Sequence, residues 1–246
     1  MPEVSRIDVS DYIKKNSLIY AVGRDYNKQL LKSVPSYRIE GFDDIVIIVG
    51  CDMTELRSKK GGRGISPVDN NTLEKLNISE EELFRVAKRN TEMRYPIFVN
   101  SIPETLKRIM GDGVPMALIE EMEMYDTEIQ IFTTRTGELG ASVIAYDGFK
   151  QLVAETMKQD CYIIPSSLHE IMAVPLTQKD DEEYAFLSLL NYVNETEVLP
   201  WDRLSDSIYR FDINTMEIRT IAFDTLRNIP FEDYGPENMA EEFEMC

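Results

Sequence analysis

The stretch "CYIIPSSLHEIMAVP", residues 161–175, decides the fold of this chain. The runs "CYIIP" and "EIMAVP" are apolar and of strand length, and the polar residues between them are typical of a turn. The stretch therefore predicts two short strands joined by a tight turn.

The same pattern recurs on both sides of this stretch. Residues 207–223, "SIYRFDINTMEIRTIAF", predict a hairpin that turns near Asn214 and Thr215. Residues 128–146, "EIQIFTTRTGELGASVIAY", predict two strands joined around Thr136 and Gly137. Earlier, "FDDIVIIVG", residues 42–50, holds five consecutive β-branched residues and predicts a buried strand. Because hairpins outnumber parallel crossover units, we expect an α+β fold, an antiparallel or mixed sheet with helices packed on it.

Two helix starts carry capping-box patterns. Ser79 precedes Glu82 by three residues, and Ser101 precedes Glu104 in the same way. Each pair predicts a helix N-terminus, because the two side chains can satisfy each other's free backbone amides.

Two later helices are predicted from hydrophobic periodicity. In residues 148–158 the apolar side chains recur with the spacing of one helical face. Residues 181–195 predict a second helix, with Phe186, Leu190 and Val193 directed inward.

The chain divides into three parts by sequence. We expect an N-terminal α/β part over residues 1–112 and a C-terminal α+β part over residues 113–230, and the two could form one domain. The segment 111–126 is the candidate boundary between them. Residues 231–246 carry six acidic and no basic side chains, which favours a solvated, disordered tail.

Composition limits the classes of function. The chain has 246 residues, of which 43% are hydrophobic and 28% charged, and no apolar run reaches membrane-spanning length. No run near the N-terminus resembles a signal peptide, so the expected location is the cytoplasm. A formal charge of −18 argues against a nucleic-acid partner, since nucleic-acid affinity rests mainly on Lys and Arg.

No cofactor or metal site is predicted. Cys51, Cys161 and Cys246 are far apart and show no metal-ligand spacing, and Cys161 is expected to be buried. His169 and Glu170 form half of a zinc-binding H-E-x-x-H motif, but the second histidine position is Ala173.

The turn between the two opening strands gathers Ser166, Ser167, His169 and Glu170, and His169 is the only histidine in the chain. A serine hydrolase could use Ser166 or Ser167 as nucleophile and His169 as base, but no G-x-S-x-G elbow is present. The sequence favours a structural turn, in which the serines bond backbone amides and the imidazole bonds a carbonyl or carboxylate. A ligand-binding turn is the second alternative.

Two further places are weaker binding candidates. The glycine-rich segment 55–64 contains Arg57, Lys59, Lys60 and Arg63, which could hold a phosphate or an acidic partner, although a mobile surface loop is the favoured interpretation. Trp201 could anchor a partner, but we expect it to pack in the core, because aromatic side chains usually bury most of their area.

The order of these segments resembles the bacterial family called domain of unknown function 5688. The resemblance covers roughly residues 30–211, and "IIPSSLHEI" and "LSDSIYRFD" are its most specific pieces. It implies no activity, since the family has none that can be carried over.

The sequence therefore predicts a cytoplasmic, non-catalytic binding or regulatory module for a protein or a small molecule. The alternatives are a small serine hydrolase that uses the cluster at residues 166–170, and an acidic mimic of nucleic acid.

Overall fold

Two antiparallel sheets form the framework of the chain. The computed structural model describes residues 8–54, 64–110, 128–177 and 181–226. Within these residues the sheets have four and six strands, with helices packed around them. The α+β class predicted from the hairpins is therefore confirmed.

The helices and strands of the described residues have the following bounds, in chain order. The helices are α1 (Val9–Asn16), α2 (Asn70–Leu76), α3 (Glu80–Arg94), α4 (Ile102–Met110), α5 (Phe149–Met157) and α6 (Glu182–Thr196). The strands are β1 (Ser17–Gly23), β2 (Ser36–Ile39), β3 (Phe42–Asp52), β4 (Ile65–Pro67), β5 (Ile97–Ser101), β6 (Gln130–Thr134), β7 (Cys161–Ser167), β8 (Glu170–Pro175), β9 (Ile208–Asp212) and β10 (Glu217–Ile221). Short 3-10 helices lie at Leu30–Lys32, Gly140–Ala145 and Phe223–Leu226.

Strand order places the predicted hairpins next to one another. The first sheet runs β1-β3-β2, and β4 also pairs with the end of β3. The second sheet runs β10-β9-β7-β8-β6-β5. The β7–β8 and β9–β10 hairpins, both predicted from sequence, are therefore neighbours in this sheet, joined by the β7–β9 pairing, with β10 at the edge.

One hydrophobic core contains residues from both sheets. Ile45 and Ile47 of β3 belong to the same buried cluster as Phe132 of β6, Ile163 of β7 and Phe211 of β9. A second cluster fills the space between the other face of the second sheet and α6. Described residues on both sides of the candidate boundary thus share one core, and the boundary segment 111–126 lies outside the described residues.

The outer edge of β1 is closed by side-chain hydroxyl groups. Ile19 N donates to Thr91 Oγ1 of α3 at 2.8 Å, and Ala21 N donates to Ser142 Oγ at 3.1 Å. Both hydroxyl residues are buried. The amides that an edge strand would leave unpaired are therefore satisfied inside the protein.

Both predicted capping boxes begin helices. Ser79 Oγ accepts from Glu82 N at 3.1 Å at the start of α3. At the start of α4, Glu104 Oε2 accepts from Ser101 N at 2.9 Å, and Glu104 N donates back to Ser101 Oγ at 3.4 Å. These helix starts were fully encoded in local sequence.

One local prediction is wrong and another is right in part. Residues 140–145 form a 3-10 helix where a second strand was expected, because their backbone bonds the β7–β8 turn: Ala141 N donates to Leu168 O at 3.1 Å. In α6, Leu190 is buried as predicted, and Phe186 is half-buried and packs against the second cluster, but Val193 is only half-buried. Leu187 and Asn194 are also buried, and the Asn194 amide bonds the chain ahead of β9.

Candidate functional site

The tight turn between β7 and β8 is held mainly through its backbone. His169 O accepts from Thr133 Oγ1 of β6 at 2.6 Å. Leu168 O accepts from Ala141 N at 3.1 Å, and Leu168 N donates to Asp202 O at 3.0 Å. The turn therefore rests on three separate parts of the chain, and these contacts do not depend on which side chain residue 169 carries.

Gly140 allows the close approach behind this turn. A Cβ atom added at Gly140 would lie 1.6 Å from His169 O and 2.4 Å from Thr133 Oγ1. Both distances are far below van der Waals contact, so only glycine fits without moving the turn.

Among the described residues, neither serine of the turn forms a hydrogen bond with the His169 imidazole. Ser166 Oγ lies 3.2 Å from Glu170 Oε1 and 3.4 Å from Glu170 O. Ser167 Oγ accepts from the backbone amide of His169 at 3.1 Å, as expected for a structural turn. The Ser–imidazole contact that a nucleophilic serine needs is thus replaced by local bonds.

The His169 side chain points to a different group, the Asp202 carboxylate. Nε2 lies 3.8 Å from Asp202 Oδ1, and the imidazole side chain is 60% exposed. This distance is within ion-pair range but too long for a hydrogen bond. The contact joins the β7–β8 turn to the loop that follows α6.

That loop presents Trp201 to solvent. Asp202 N donates to Leu199 O at 2.8 Å, which closes a four-residue turn with Pro200 in the second position that proline favours. Trp201 is third in this turn, and its side chain is 71% exposed. The prediction that Trp201 packs in the core is therefore wrong, because the turn directs the indole outward.

More exposed apolar side chains lie beside this turn in sequence. Leu189 and Tyr192 are one helical turn apart on the outer face of α6 and are 38% and 53% exposed. Leu199, at the start of the Trp201 turn, is 51% exposed. We call Leu189, Tyr192, Leu199 and Trp201 together the α6 surface. Exposed apolar residues grouped in this way mark interaction sites more often than single exposed residues do.

The α6 surface lies in a strongly acidic part of the chain. Residues 181–202 contain six Asp and Glu and no Lys or Arg. The next residue, Arg203, is half-buried, and its Nε lies 3.5 Å from Val198 O. Three of the acidic residues, Asp181, Glu195 and Glu197, are exposed, and no basic residue lies between them in the sequence.

A second polar cluster, which sequence reasoning missed, joins the two sheets behind the Trp201 loop. Asp44 Oδ2 of β3 accepts from Ser205 Oγ at 2.6 Å and from Ser207 Oγ at 3.0 Å. The Tyr209 hydroxyl donates to Asp44 Oδ1. Burial, followed by the nearby Asp44 carboxylate, raises the pKa of Tyr209 well above its ordinary value. We call these four residues the Asp44 cluster.

The Asp44 cluster continues to the surface through α6. Asn194 Nδ2 donates to Ser205 O and to Asp206 Oδ1, both at 2.9 Å. Asp206 Oδ2 accepts from the Tyr26 hydroxyl at 2.6 Å. Together, the Asp44 and Asp206 carboxylates accept hydrogen bonds from hydroxyl and amide groups, and these bonds hold the start of β9 in place.

A cavity of about 350 Å³ lies elsewhere, between α1, β4 and α2. Its wall is mostly apolar and includes Val9, Ile13, Met53 and Val68, with Cys51 among the lining residues. Burial raises the pKa of the Cys51 thiol to about 11 and that of Cys161 to about 12, so both thiols are neutral near pH 7. Cys161 is fully buried, as predicted.

The remaining sequence-predicted binding residues lie outside the part of the chain that the structure describes. Arg57, Lys59, Lys60 and Arg63 lie outside the described residues, as does the acidic tail at 231–246. Among the described residues, no three His, Cys, Asp or Glu side chains gather in a way that could hold a metal ion. The described helices are also too short or too polar to cross a membrane.

Comparison with known proteins identifies the family. No curated protein and no solved structure matches the chain significantly. A family model described as a family of unknown function, DUF5688, matches residues 2–213. That match includes the β7–β8 turn, the α6 surface and the Asp44 cluster. Because it covers most of the chain, the chain belongs to the DUF5688 family.

Proposed function

We propose that this chain is a non-catalytic, cytoplasmic protein-binding module that uses the α6 surface. The observation that carries the proposal is the exposure of Trp201, 71% exposed on a turn that is bonded at both ends. Tryptophan is enriched among the residues that contribute most binding energy in protein interfaces. The hydrogen-bonded turn also fixes the backbone that carries Trp201, which lowers the cost of ordering this loop on binding.

The bonding of the β7–β8 turn supports this proposal over serine hydrolysis. The turn holds the Trp201 loop from behind through Leu168 N and Asp202 O. Its serine hydroxyls are engaged with Glu170 and with the His169 backbone. These contacts are those of a turn that supports a binding surface; a nucleophilic serine would instead bond the imidazole that serves as its base.

The test compares proteins retained from a bacterial extract by the immobilised chain and by its Trp201→Ala variant. We expect at least one protein to bind the wild type and to be lost with Trp201→Ala. The matched control is Met93→Ala, which removes another exposed side chain, 68% accessible on α3. The free energy of unfolding of both variants should lie within about 1 kcal/mol of the wild-type value, because both side chains lie on the surface.

Two results would contradict the protein-binding proposal. One is the absence of any protein whose retention depends on Trp201. The other is covalent labelling by a serine-reactive phosphonate that disappears in Ser166→Ala or Ser167→Ala, which would favour the hydrolase instead.

A second function, binding of a small neutral molecule, is favoured by the cavity beside Cys51. Its volume of about 350 Å³ is at the lower end of the range for ligand sites, and its wall is mostly apolar. Indole and hexanol would serve as probes. We expect them to raise the melting temperature of the wild type but not of Val9→Trp, in which a large side chain narrows the cavity; equal shifts in both proteins would contradict ligand binding there.

A further inference from the structure

We propose that the α6 surface binds a basic amphipathic helix of a partner protein. This inference rests on the proposed protein-binding function and names the chemistry of the partner. It is carried by two independent features of the described residues: the exposed apolar side chains and the charges around them.

The apolar side chains have the arrangement that a helix can match. Leu189 and Tyr192 lie three residues apart on one face of α6, and Leu199 and Trp201 follow at its C-terminal end. A partner helix places apolar residues on one face at spacings of three and four, so it can pack along the face of α6 that carries Leu189 and Tyr192. Tyr192 and Trp201 are the expected anchors, because tyrosine and tryptophan dominate interface energies.

The charges select a basic partner. Residues 181–202 carry six acidic and no basic side chains, and Asp181, Glu195 and Glu197 are exposed. A helix with Lys or Arg beside its apolar face would place those cations against the carboxylates. Complementary charge of this kind speeds association and excludes partners of the wrong sign.

The same charges argue against other occupants. A second copy of the chain would bring another formal charge of −18. The C-terminal segment 231–246 has six acidic and no basic residues, so it would be repelled from the same place. Nucleic acids and anionic membranes are disfavoured for the same reason.

Trp201 provides a direct measurement, because it is the only tryptophan in the chain. The probe is a tryptophan-free peptide of about 18 residues, long enough to form a helix, with leucines on one face and lysines on the other. Titration into the full chain should shift the Trp201 emission to shorter wavelength and then saturate. Two control peptides are needed: one with glutamate in place of lysine, and one with the same composition in scrambled order.

Variants on α6 test the location without removing the fluorophore. We expect Leu189→Ser and Tyr192→Ser each to weaken peptide binding by about tenfold, the usual cost of losing an interface anchor. Met93→Ser, on α3, should leave the affinity unchanged. Added salt should weaken binding, because the charge contacts lie at the surface.

Three outcomes would overturn the inference. They are equal binding of the glutamate or scrambled peptide, wild-type affinity in both α6 variants, and the absence of any Trp201 response. If a Trp201-dependent partner is still recovered from extract in any of these cases, the protein-binding function stands and only the basic helix is wrong. If no such partner is recovered either, both proposals fail.

Discussion

Substitution of Ser205 by alanine tests whether the Asp44 cluster holds the two sheets together. The Ser205 hydroxyl donates to Asp44 Oδ2 at 2.6 Å and accepts from Ser207 N at 2.8 Å. Ser205 is 2% exposed and Ser207 is 6% exposed, so water cannot easily replace the lost oxygen.

The expected loss of stability follows from these two bonds. A hydrogen bond to a charged group contributes about 1.5–3 kcal/mol, and a buried amide without a partner costs about 1–3 kcal/mol. Because Ser207 Oγ and Tyr209 continue to hold Asp44, we expect a total near the lower part of the sum, about 3 kcal/mol. For a chain of this size that corresponds to a melting temperature lower by about 6–12 °C.

The assay is urea unfolding of wild type, Ser205→Ala and Ser166→Ala, followed by circular dichroism. Ser166→Ala makes the same chemical change, but its hydroxyl has only longer contacts to Glu170 at a half-exposed position. It should therefore cost about 0.5 kcal/mol. If Ser205→Ala is no less stable than Ser166→Ala, the Asp44 cluster does not stabilise the fold.

Three further substitutions have defined expectations. His169→Ala should cost less than about 1 kcal/mol, because the exposed imidazole makes only a long contact to Asp202 and the backbone contacts of the turn remain; a loss above about 2 kcal/mol in urea unfolding would contradict this. Gly140→Ala should cost about 3 kcal/mol, since the new Cβ would lie 1.6 Å from His169 O, and an unchanged urea midpoint would show that the turn can move. As pH rises above about 10, the free energy of unfolding should fall less in Tyr209→Phe than in wild type. The raised pKa keeps the Tyr209 phenol protonated in the folded protein, whereas the phenol of the unfolded chain ionises. Wild type should therefore lose up to about 1.4 kcal/mol of stability per pH unit through this group, and the variant, which lacks the phenol, should not. An equal fall in the free energy of unfolding of both proteins between pH 10 and 11 would contradict a raised pKa for Tyr209.

Local sequence predicted the hairpins and the helix starts because their causes are local. The turn between β7 and β8 and the one near Asn214 both follow from short-range polar patterns. Ser79 and Ser101 cap helices through partners three residues away. Patterns of this range can be recognised in one sequence without knowledge of the rest of the fold.

The candidate site was harder to predict because its contacts are distant in sequence. Asp44 bonds Ser205 and Tyr209, which follow it by 161 and 165 residues. No periodicity connects such positions, so nothing in the local sequence distinguishes Asp44 from other acidic residues. For Trp201 a signal did exist: Pro200 directly before it favours a tight turn, and a tight turn directs side chains outward.

The hydroxyl groups that bond the outer edge of β1 also exclude that edge from pairing with another chain. An open strand edge recruits strands from other chains, in functional peptide recognition and in amyloid alike. At Ile19 and Ala21 that route is blocked, since the amides an incoming strand would need are already bonded to Thr91 and Ser142. Replacing those two hydroxyls with methyl groups would leave two buried backbone donors without a partner, and because α3 and residues 140–145 cover this edge, the cost would be lost stability and not a new place for another strand to pair.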